Sequence, residues 1–158
     1  GGLKLSLPNA ALFDTGSANL KPESYPLFNE IAATLVDLKG AFFEVRGHTD
    51  NSPTGTATQY SDNRDLSYFR AKSVTERLVN VGQVPQEQFE IVALGESQPL
   101  ASNATTEGKA ANRRVEIYVR GLVEKSKIEP LRYKFRDITG LDLPETPRLS
   151  TGFVDESR

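Results

Sequence analysis

Asp50 and Arg70 are the two residues whose types and positions could carry specific chemistry. Asp50 ends the motif "GHTD" after a hydrophobic stretch, and Arg70 lies in the helix-like pattern "NRDLSYFRAKSV". The residues between them are mostly small and polar, and a long loop inside a compact domain usually has a function. Each residue alone has an ordinary explanation, since an Asp in a turn satisfies backbone N–H groups and most helical arginines are solvated. The question is whether the carboxylate and the guanidinium face one another, and what would bind between them.

Composition limits the classes of function open to the chain. Its 158 residues suffice for one domain with a core, and 37% hydrophobic and 25% charged residues are typical of a globular protein. A net charge of −2 gives no electrostatic basis for binding nucleic acid or anionic lipid. The chain has no Cys and a single His, which excludes thiol catalysis, disulfides and zinc-thiolate or His-rich metal sites. We expect no cofactor. Because the chain starts at Gly1, we expect it to be an excised soluble part whose export signal or anchor lies upstream.

Hydrophobic periodicity predicts four strands and two main helices. Alternation at period 2 indicates half-buried strands, and recurrence at three and four residues indicates amphipathic helices. The predicted elements are strand 3–7, helix Pro22–Leu38, strand Ala41–Gly47, helix Asp62–Asn80, strand Gln88–Gly95, one short helical turn within 96–112, and strand Arg113–Gly121. Two crossover helices on one mixed four-stranded sheet make a two-layer α/β sandwich of the α+β class.

Several details of these elements are open to checking. We expect Gly40 to end the first helix. The second helix is expected to place its apolar residues on one side, namely Leu66, Phe69, Val74 and Leu78.

The chain divides into a domain over residues 1–121 and a C-terminal extension over 122–158. The extension is rich in charge, with scattered apolar residues, among them Leu131, Tyr133, Phe135 and Ile138. We expect these four side chains to pack on the domain or on a neighbouring chain.

Four motifs in order carry a resemblance to a known family. They are "GHTDN", "NRDLSYFRAKSV", "ALGESQP" and "EGKAANRRVEI", preceded by "FDTGSANLKPES". Together they resemble the OmpA-like peptidoglycan-binding domain, which is shared by the C-terminal part of outer-membrane protein A, the Pal lipoprotein and the flagellar stator subunits MotB and PomB. The resemblance covers roughly Ala11 to Val119. It implies the OmpA-like form of the two-layer sandwich and non-covalent binding to the stem peptide of the cell wall.

The resemblance assigns Asp50 and Arg70 to the diaminopimelate residue of that peptide. The side-chain end of diaminopimelate is a zwitterion, with an ammonium and a carboxylate on one carbon. Binding it calls for one carboxylate and one guanidinium a few ångströms apart, the second able to bond bidentately.

Other site residues follow from the same resemblance. Thr49 and Asn63 match polar positions that can bond the backbone groups of the ligand. Leu66 matches an apolar contact, although it is equally compatible with the core. Arg113 lies at the start of the last strand and could reach the same pocket.

Four further positions have structural interpretations. We expect His48 to be a turn residue with a hydrogen-bonding role, and Arg114 to pair with a nearby acid. Gly95 and Glu96 are expected to shape a strand-end turn. A rival interpretation makes Asp50 and Glu96 a carboxylate pair for glycan cleavage, but no motif supports catalysis.

The resemblance implies a non-enzymatic module that anchors a larger envelope protein to peptidoglycan. The long segment "NSPTGTATQYSDN" favours a MotB- or PomB-type stator B subunit, and a simple tether between outer membrane and cell wall is the alternative. Expected partners are peptidoglycan, a second copy in a homodimer, and a membrane-embedded stator partner reached through the missing N-terminal region, with no nucleic acid. The expected location is the periplasm of a Gram-negative bacterium, the parent protein being anchored in the inner membrane. A protein-interaction role for the C-terminal extension is compatible with this function.

Overall fold

The computed structural model describes residues 3–55 and 59–121. The elements are β1 (Leu3–Pro8), α1 (Asn9–Leu12), α2 (Tyr25–Leu35), β2 (Phe42–His48), α3 (Asn63–Asn80), β3 (Phe89–Gly95), α4 (Thr106–Asn112) and β4 (Arg114–Arg120), with short 3₁₀ turns at Pro22–Ser24 and Gln86–Gln88. The predicted extension 122–158, with Leu131, Tyr133, Phe135 and Ile138, lies outside the described residues. The division of the chain at residue 121 therefore stays a prediction.

The four strands form one mixed sheet in the order β1-β4-β2-β3. The central strand β4 is antiparallel to both β1 and β2, whereas β2 and β3 are parallel and are joined by α3. The chain from β1 to β2 runs through α2 and crosses β4. The predicted two-layer architecture with a mixed four-stranded sheet is confirmed, and each predicted strand differs from the observed one by no more than one residue at either end.

The hydrophobic core lies between the sheet and the two long helices. Alternate residues of β4, namely Val115, Ile117 and Val119, are fully buried, as the strand periodicity predicted. They meet buried residues of β2, α2 and α3, among them Phe43, Val45, Ile31, Leu35, Val74 and Leu78. Among the described residues, no helix is long and apolar enough to span a membrane.

Two details of the helices differ from the prediction. The first helix was predicted over Pro22–Leu38, but it begins at Tyr25, after the 3₁₀ turn at Pro22–Ser24, and ends at Leu35. After Leu35, single turns follow, with bonds from Asp37 N to Thr34 O and from Leu38 N to Leu35 O. The prediction that Gly40 ends this helix is therefore wrong: Gly40, with a φ of 84°, comes after the turns that bring Leu38 into the core. Phe69, predicted on the apolar side of the second helix, is instead 37% exposed. The spacing of apolar residues in one helix identifies an apolar face, but it does not show how far the sheet extends over the edges of that face.

The second helix begins where its sequence predicts. The side chain of Asp62 accepts a hydrogen bond from the Asp65 N–H at 2.7 Å, which satisfies one of the unpaired donors at the start of α3. The expected helical turn in the loop before β4 is α4, and Thr105 caps it through the Gly108 N–H.

A buried cluster of polar side chains lies on the sheet face opposite the helices. His48 is the last residue of β2, not a turn residue, and its Nε2 lies 2.6 Å from Glu116 Oε1. Lys4 Nζ and Arg114 Nε each lie 3.3 Å from Glu116 Oε2, so the expected pairing of Arg114 with an acid is confirmed. Burial alone would raise the pKa of Glu116, but the His48 hydrogen bond and the nearby positive charges hold it at about 2. Burial lowers the pKa of His48, and its bond to Glu116 opposes this only in part.

Helix α3 packs on the sheet with a close backbone contact. A Cβ atom at Gly47 of β2 would overlap the carbonyl oxygen of Ser67 in α3. Ser67 is fully buried, and its hydroxyl accepts a hydrogen bond at 3.0 Å from the N–H of Gly95, at the end of β3. The helix is therefore fixed against the ends of two neighbouring strands.

Replacing Gly47 by Ala should destabilise the protein. The added methyl group meets rigid backbone, so α3 must move away from β2, at a cost of about 1–3 kcal/mol or more in the free energy of unfolding. Urea denaturation followed by circular dichroism measures this loss. Ser67→Ala adds no clash but removes both hydrogen bonds of the hydroxyl, the one accepted from the Gly95 N–H and the one donated to the Arg64 carbonyl, and should cost about 1–3 kcal/mol. An unchanged midpoint for Gly47→Ala would show that the helix is not held at this contact.

Candidate functional site

An open cavity of about 610 Å³ lies where the end of β2, the start of α3 and the loop after α1 meet. All six residues selected from the sequence line it: Thr49, Asp50, Asn63, Leu66, Arg70 and Arg113. The remaining walls come mainly from residues 13–16 and 52–55. The fold thus brings together side chains from three separate parts of the chain.

Asp50 is buried and is held by two hydrogen bonds. Its Oδ1 accepts from the backbone N–H of Ser52 at 2.9 Å, as in a turn that begins with an Asp. Its Oδ2 accepts from Arg113 Nη1 at 2.6 Å. Burial alone would raise the pKa of this carboxyl, but the Arg113 and Ser52 bonds outweigh burial and lower the pKa below its ordinary value. Asp50 is therefore an ionised carboxylate at neutral pH.

Arg70 is also buried, and its guanidinium is oriented by backbone carbonyls. Nε donates to Ser17 O at 2.8 Å, and Nη2 has a longer contact of 3.5 Å to Asp14 O. The guanidinium carbon lies 5.1 Å from the centre of the Phe13 ring. Burial lowers the pKa of Arg70, but a guanidinium remains charged in proteins. Arg70 thus fixes the loop that forms one wall of the cavity.

Asp50 and Arg70 share the cavity, and each is oriented by other neighbours. Asp50 forms an ion pair with Arg113, and the hydrogen bonds of Arg70 go to the loop after α1. The sequence predicted that the two charges would come together at one site, and the geometry agrees. The amino-acid pattern did not indicate that Arg113 is the residue that neutralises Asp50.

The polar residues beside Asp50 support the loop that carries it. Thr49 donates from its hydroxyl to Asp50 O at 2.8 Å and from its N–H to Gly95 O at 2.8 Å. Asn63 donates from Nδ2 to Ser52 O at 2.9 Å. Their predicted bonds to a ligand therefore stay predictions, since these donors already bond within the protein.

Leu66 lies between the cavity and a small apolar cluster. It lines the cavity and packs with Ala18 and Tyr60 apart from the main core. The two interpretations left open by the sequence are thus compatible, since one face of the side chain can be packed while another borders the cavity.

Two contributions to the site were not identified from the sequence. The loop after α1 supplies the carbonyls that orient Arg70, although "FDTGS" was noted only as part of the resemblance. Lys109 of α4 donates to Ser52 Oγ at 2.9 Å and so supports the turn that holds Asp50. Both are contacts across long sequence separations, which a local pattern does not reveal.

The geometry argues against Asp50 and Glu96 as a catalytic pair. A general acid for glycan cleavage needs a raised pKa, whereas the pKa of Asp50 is lowered. Glu96 is exposed, and its Oε1 has a long contact of 3.5 Å to Asn63 Nδ2.

Replacing Arg113 by Gln should raise the pKa of Asp50. The substitution removes the positive charge and the charge-assisted hydrogen bond, so burial dominates and favours the protonated acid. Titration of the carboxyl carbon by NMR measures this change. Arg64→Gln is a matched control, because Arg64 is exposed on α3 and should leave the pKa of Asp50 unchanged. An unaltered Asp50 titration in Arg113→Gln would mean that the ion pair does not form in solution.

Comparison with known proteins gives relatives that share this fold and this site region. The OmpA family model matches residues 12–113. Motility protein B of Bacillus subtilis is 34% identical over 128 residues, which are 80% of this chain and 49% of that protein. The probable lipoprotein YiaD of Escherichia coli is 40% identical over 113 residues, which are 72% of this chain and 49% of that protein. The peptidoglycan-binding protein ArfA of Mycobacterium tuberculosis is 42% identical over 107 residues, which are 68% of this chain and 31% of that protein.

Solved structures agree with these relatives. The periplasmic domain of Helicobacter pylori MotB superimposes with a TM-score of 0.71 at 25% identity, over 86% of this chain and 85% of that one. The cell wall anchor of the Pseudomonas aeruginosa type VI secretion system superimposes with a TM-score of 0.69 at 36% identity, over 75% of this chain and 80% of that one. The chain spans about half the length of Motility protein B and YiaD, or less for ArfA. With more than half of its residues matched, the chain belongs to the OmpA family.

Proposed function

We propose that this domain binds peptidoglycan non-covalently and anchors a larger envelope protein to the cell wall. The observation that carries the proposal is the cavity that holds an ionised Asp50 and the guanidinium of Arg70, each oriented by its neighbours. The names of two relatives support it, since ArfA is a peptidoglycan-binding protein and the Pseudomonas structure is a cell wall anchor. Binding alone explains this site, and no catalytic step is needed.

The ligand we propose is the zwitterionic end of diaminopimelate in the stem peptide. Its ammonium would bind Asp50, because each carboxylate oxygen accepts a hydrogen bond within the protein and has the capacity for another. Its carboxylate would bind the Nη groups of Arg70, whose Nε is engaged by Ser17. Arg113 lines the same cavity as Arg70 and would offer a second guanidinium to the carboxylate of the ligand. Lysine in place of diaminopimelate would lack the carboxylate and should bind poorly.

For the whole protein, we propose a stator B subunit of the MotB or PomB type in the inner membrane, with this domain in the periplasm. Similarity to Motility protein B and to the Helicobacter pylori MotB domain supports this role. A lipoprotein tether is the second candidate, supported by the similarity to YiaD. The sequence of the full-length gene product distinguishes them, since a stator subunit needs a transmembrane helix with an ion-carrying Asp and a tether needs a lipidated Cys or a barrel.

Replacing either charged residue should weaken binding to cell-wall sacculi. Charge-assisted hydrogen bonds contribute about 1.5–3 kcal/mol, so Asp50→Asn and Arg70→Lys should each reduce the affinity by about tenfold to a hundredfold. Asn keeps the acceptor for Ser52 without the charge, and Lys keeps the charge without the planar fork. The measurement is sedimentation of the protein with purified sacculi over a concentration series.

Matched controls separate the site from general charge effects. Asp37→Asn and Arg64→Lys make the same chemical changes at exposed positions and should bind as the wild type does. Circular dichroism verifies that every variant is folded, which matters for Arg70 because it supports a loop. If folded Asp50→Asn and Arg70→Lys are retained like the controls, the cavity is not the peptidoglycan site.

We also propose that the protein forms a homodimer, an expectation that follows from the resemblance of its motifs to stator and tether proteins. The expected result is a molecular mass near twice 17.4 kDa in multi-angle light scattering of the 158-residue chain at micromolar concentration. A monomeric mass across the concentration range would contradict dimerisation through this part of the protein.

A further inference from the structure

Three aromatic side chains form a continuous cluster on the outer side of α3. Tyr68 and Phe69 are consecutive on the helix and are 40% and 37% exposed. Their ring centres are 5.2 Å apart at 80°, and the Tyr60 ring centre is 5.6 Å from that of Phe69. Tyr60 is buried beneath Phe69, so the surface of the cluster consists of the other two rings. We call Tyr68 and Phe69 the aromatic platform.

The platform differs from the other exposed hydrophobic residues of the described chain. Phe42, Val81 and Leu100 are each exposed on separate elements or loops. Scattered single residues of this kind are ordinary, whereas grouped aromatic rings at a surface indicate a binding area. The hydrophobic core does not account for Tyr68 and Phe69, because neither belongs to a buried cluster.

The platform is continuous with the cavity proposed to bind the stem peptide. Tyr60 packs against Leu66, which lines that cavity. Phe69 packs in turn against Tyr60, with ring centres 5.6 Å apart, so contacts run from Leu66 through Tyr60 to Phe69. A ligand held in the cavity that extends past Leu66 on this side would reach the exposed ring of Phe69.

We propose that the aromatic platform binds a sugar ring of the glycan strand that carries the stem peptide. A pyranose ring of an N-acetylated sugar presents a face of C–H groups, which packs on an aromatic ring, while its polar substituents stay in water. Lys72 Nζ lies 5.9 Å from the centre of the Phe69 ring and supplies a donor for a hydroxyl or acetamido oxygen at the edge of the platform. This inference rests on the proposed peptidoglycan function, because the glycan is attached to the peptide in the cavity.

The test compares two ligands that share one peptide. The first is the free tripeptide L-alanyl-γ-D-glutamyl-meso-diaminopimelate, and the second is the same tripeptide on its N-acetylated disaccharide. Isothermal titration should give the wild type a higher affinity for the second ligand by about two- to tenfold, the range of one aromatic contact. Phe69→Ala should abolish this difference and leave the affinity for the free tripeptide unchanged. Tyr68→Ala should reduce the difference.

Phe42→Ala is the matched control for the platform. It removes an exposed Phe on the sheet face opposite the helices, 62% exposed, and should retain the full preference for the disaccharide ligand. Asp50→Asn should lose affinity for both ligands by a similar factor. Equal affinity of the wild type for the two ligands, or a preference that survives Phe69→Ala, would overturn the proposal.

A peptide-free glycan separates this inference from the proposed function. Saturation-transfer NMR with the tetramer of β-1,4-linked N-acetylglucosamine should show binding to the wild type and to Asp50→Asn, and loss of binding in Phe69→Ala. Failure of the wild type to bind the tripeptide would overturn the peptide site, whereas failure to bind the tetramer would overturn the platform. If Phe69→Ala instead converts a dimer to a monomer in light scattering, the platform is a contact between copies and the glycan proposal is wrong.

Discussion

The close contact between α3 and the end of β2 is the constraint on which the site depends. Gly47 has no side chain, so the helix backbone at Ser67 approaches the strand directly, and the Ser67 hydroxyl bonds the end of β3. Asp50 follows Gly47 by three residues, and Arg70 follows Ser67 by three. Because both segments start from one fixed point, the carboxylate and the guanidinium reach the same cavity although a long loop separates them in the chain. A helix shifted along the sheet would place Arg70 outside the cavity.

The proposed binding of a zwitterion fits the way in which the protein orients Asp50 and Arg70. Each side chain is held by hydrogen bonds within the protein, and each still has atoms that can bond a ligand. If Asp50 and Arg70 were bonded to one another, a zwitterion would have to break an ion pair before it could bind. Instead Arg113 and the Ser52 N–H hold the carboxylate, and backbone carbonyls hold the guanidinium. Such orientation lowers the entropy lost on binding, since the side chains are already ordered. The loop after α1 is held by the same guanidinium, so the wall of the cavity and its cation form one unit.

The fold and most of the site could be predicted from the sequence, and the failures have physical reasons. The alternation Val115, Ile117, Val119 identified β4, because one face of that strand is wholly apolar. The six site residues were selected from ordered motifs, and all of them line one cavity. The hydrogen-bond partners of these residues could not be predicted, since they depend on contacts such as Asp50 with Arg113, far apart in the chain.

The errors at His48 and Phe69 come from the same limitation of local patterns. A polar residue after a strand was interpreted as a turn, yet His48 remains in the strand because Glu116 of the neighbouring strand supplies a buried partner. An aromatic residue at helical spacing was assigned to the core, yet the sheet does not extend over Phe69. In both cases periodicity gave the element correctly, whereas the surroundings of the side chain depend on how the layers are arranged.

The cluster of His48 and Glu116 couples folding to proton binding. Glu116 has a pKa of about 2 in the folded protein against an ordinary value of 4.5, so the unfolded chain takes up a proton first as the pH falls. The stabilisation it provides is complete above pH 4.5 and is lost towards pH 2. The pKa of His48 is lowered from 6.5, so below that pH the unfolded chain also binds a proton that the folded protein resists. Both linkages have the same sign. Acidification below pH 6.5 therefore lowers the free energy of unfolding through both groups of this pair, on the sheet face opposite the helices.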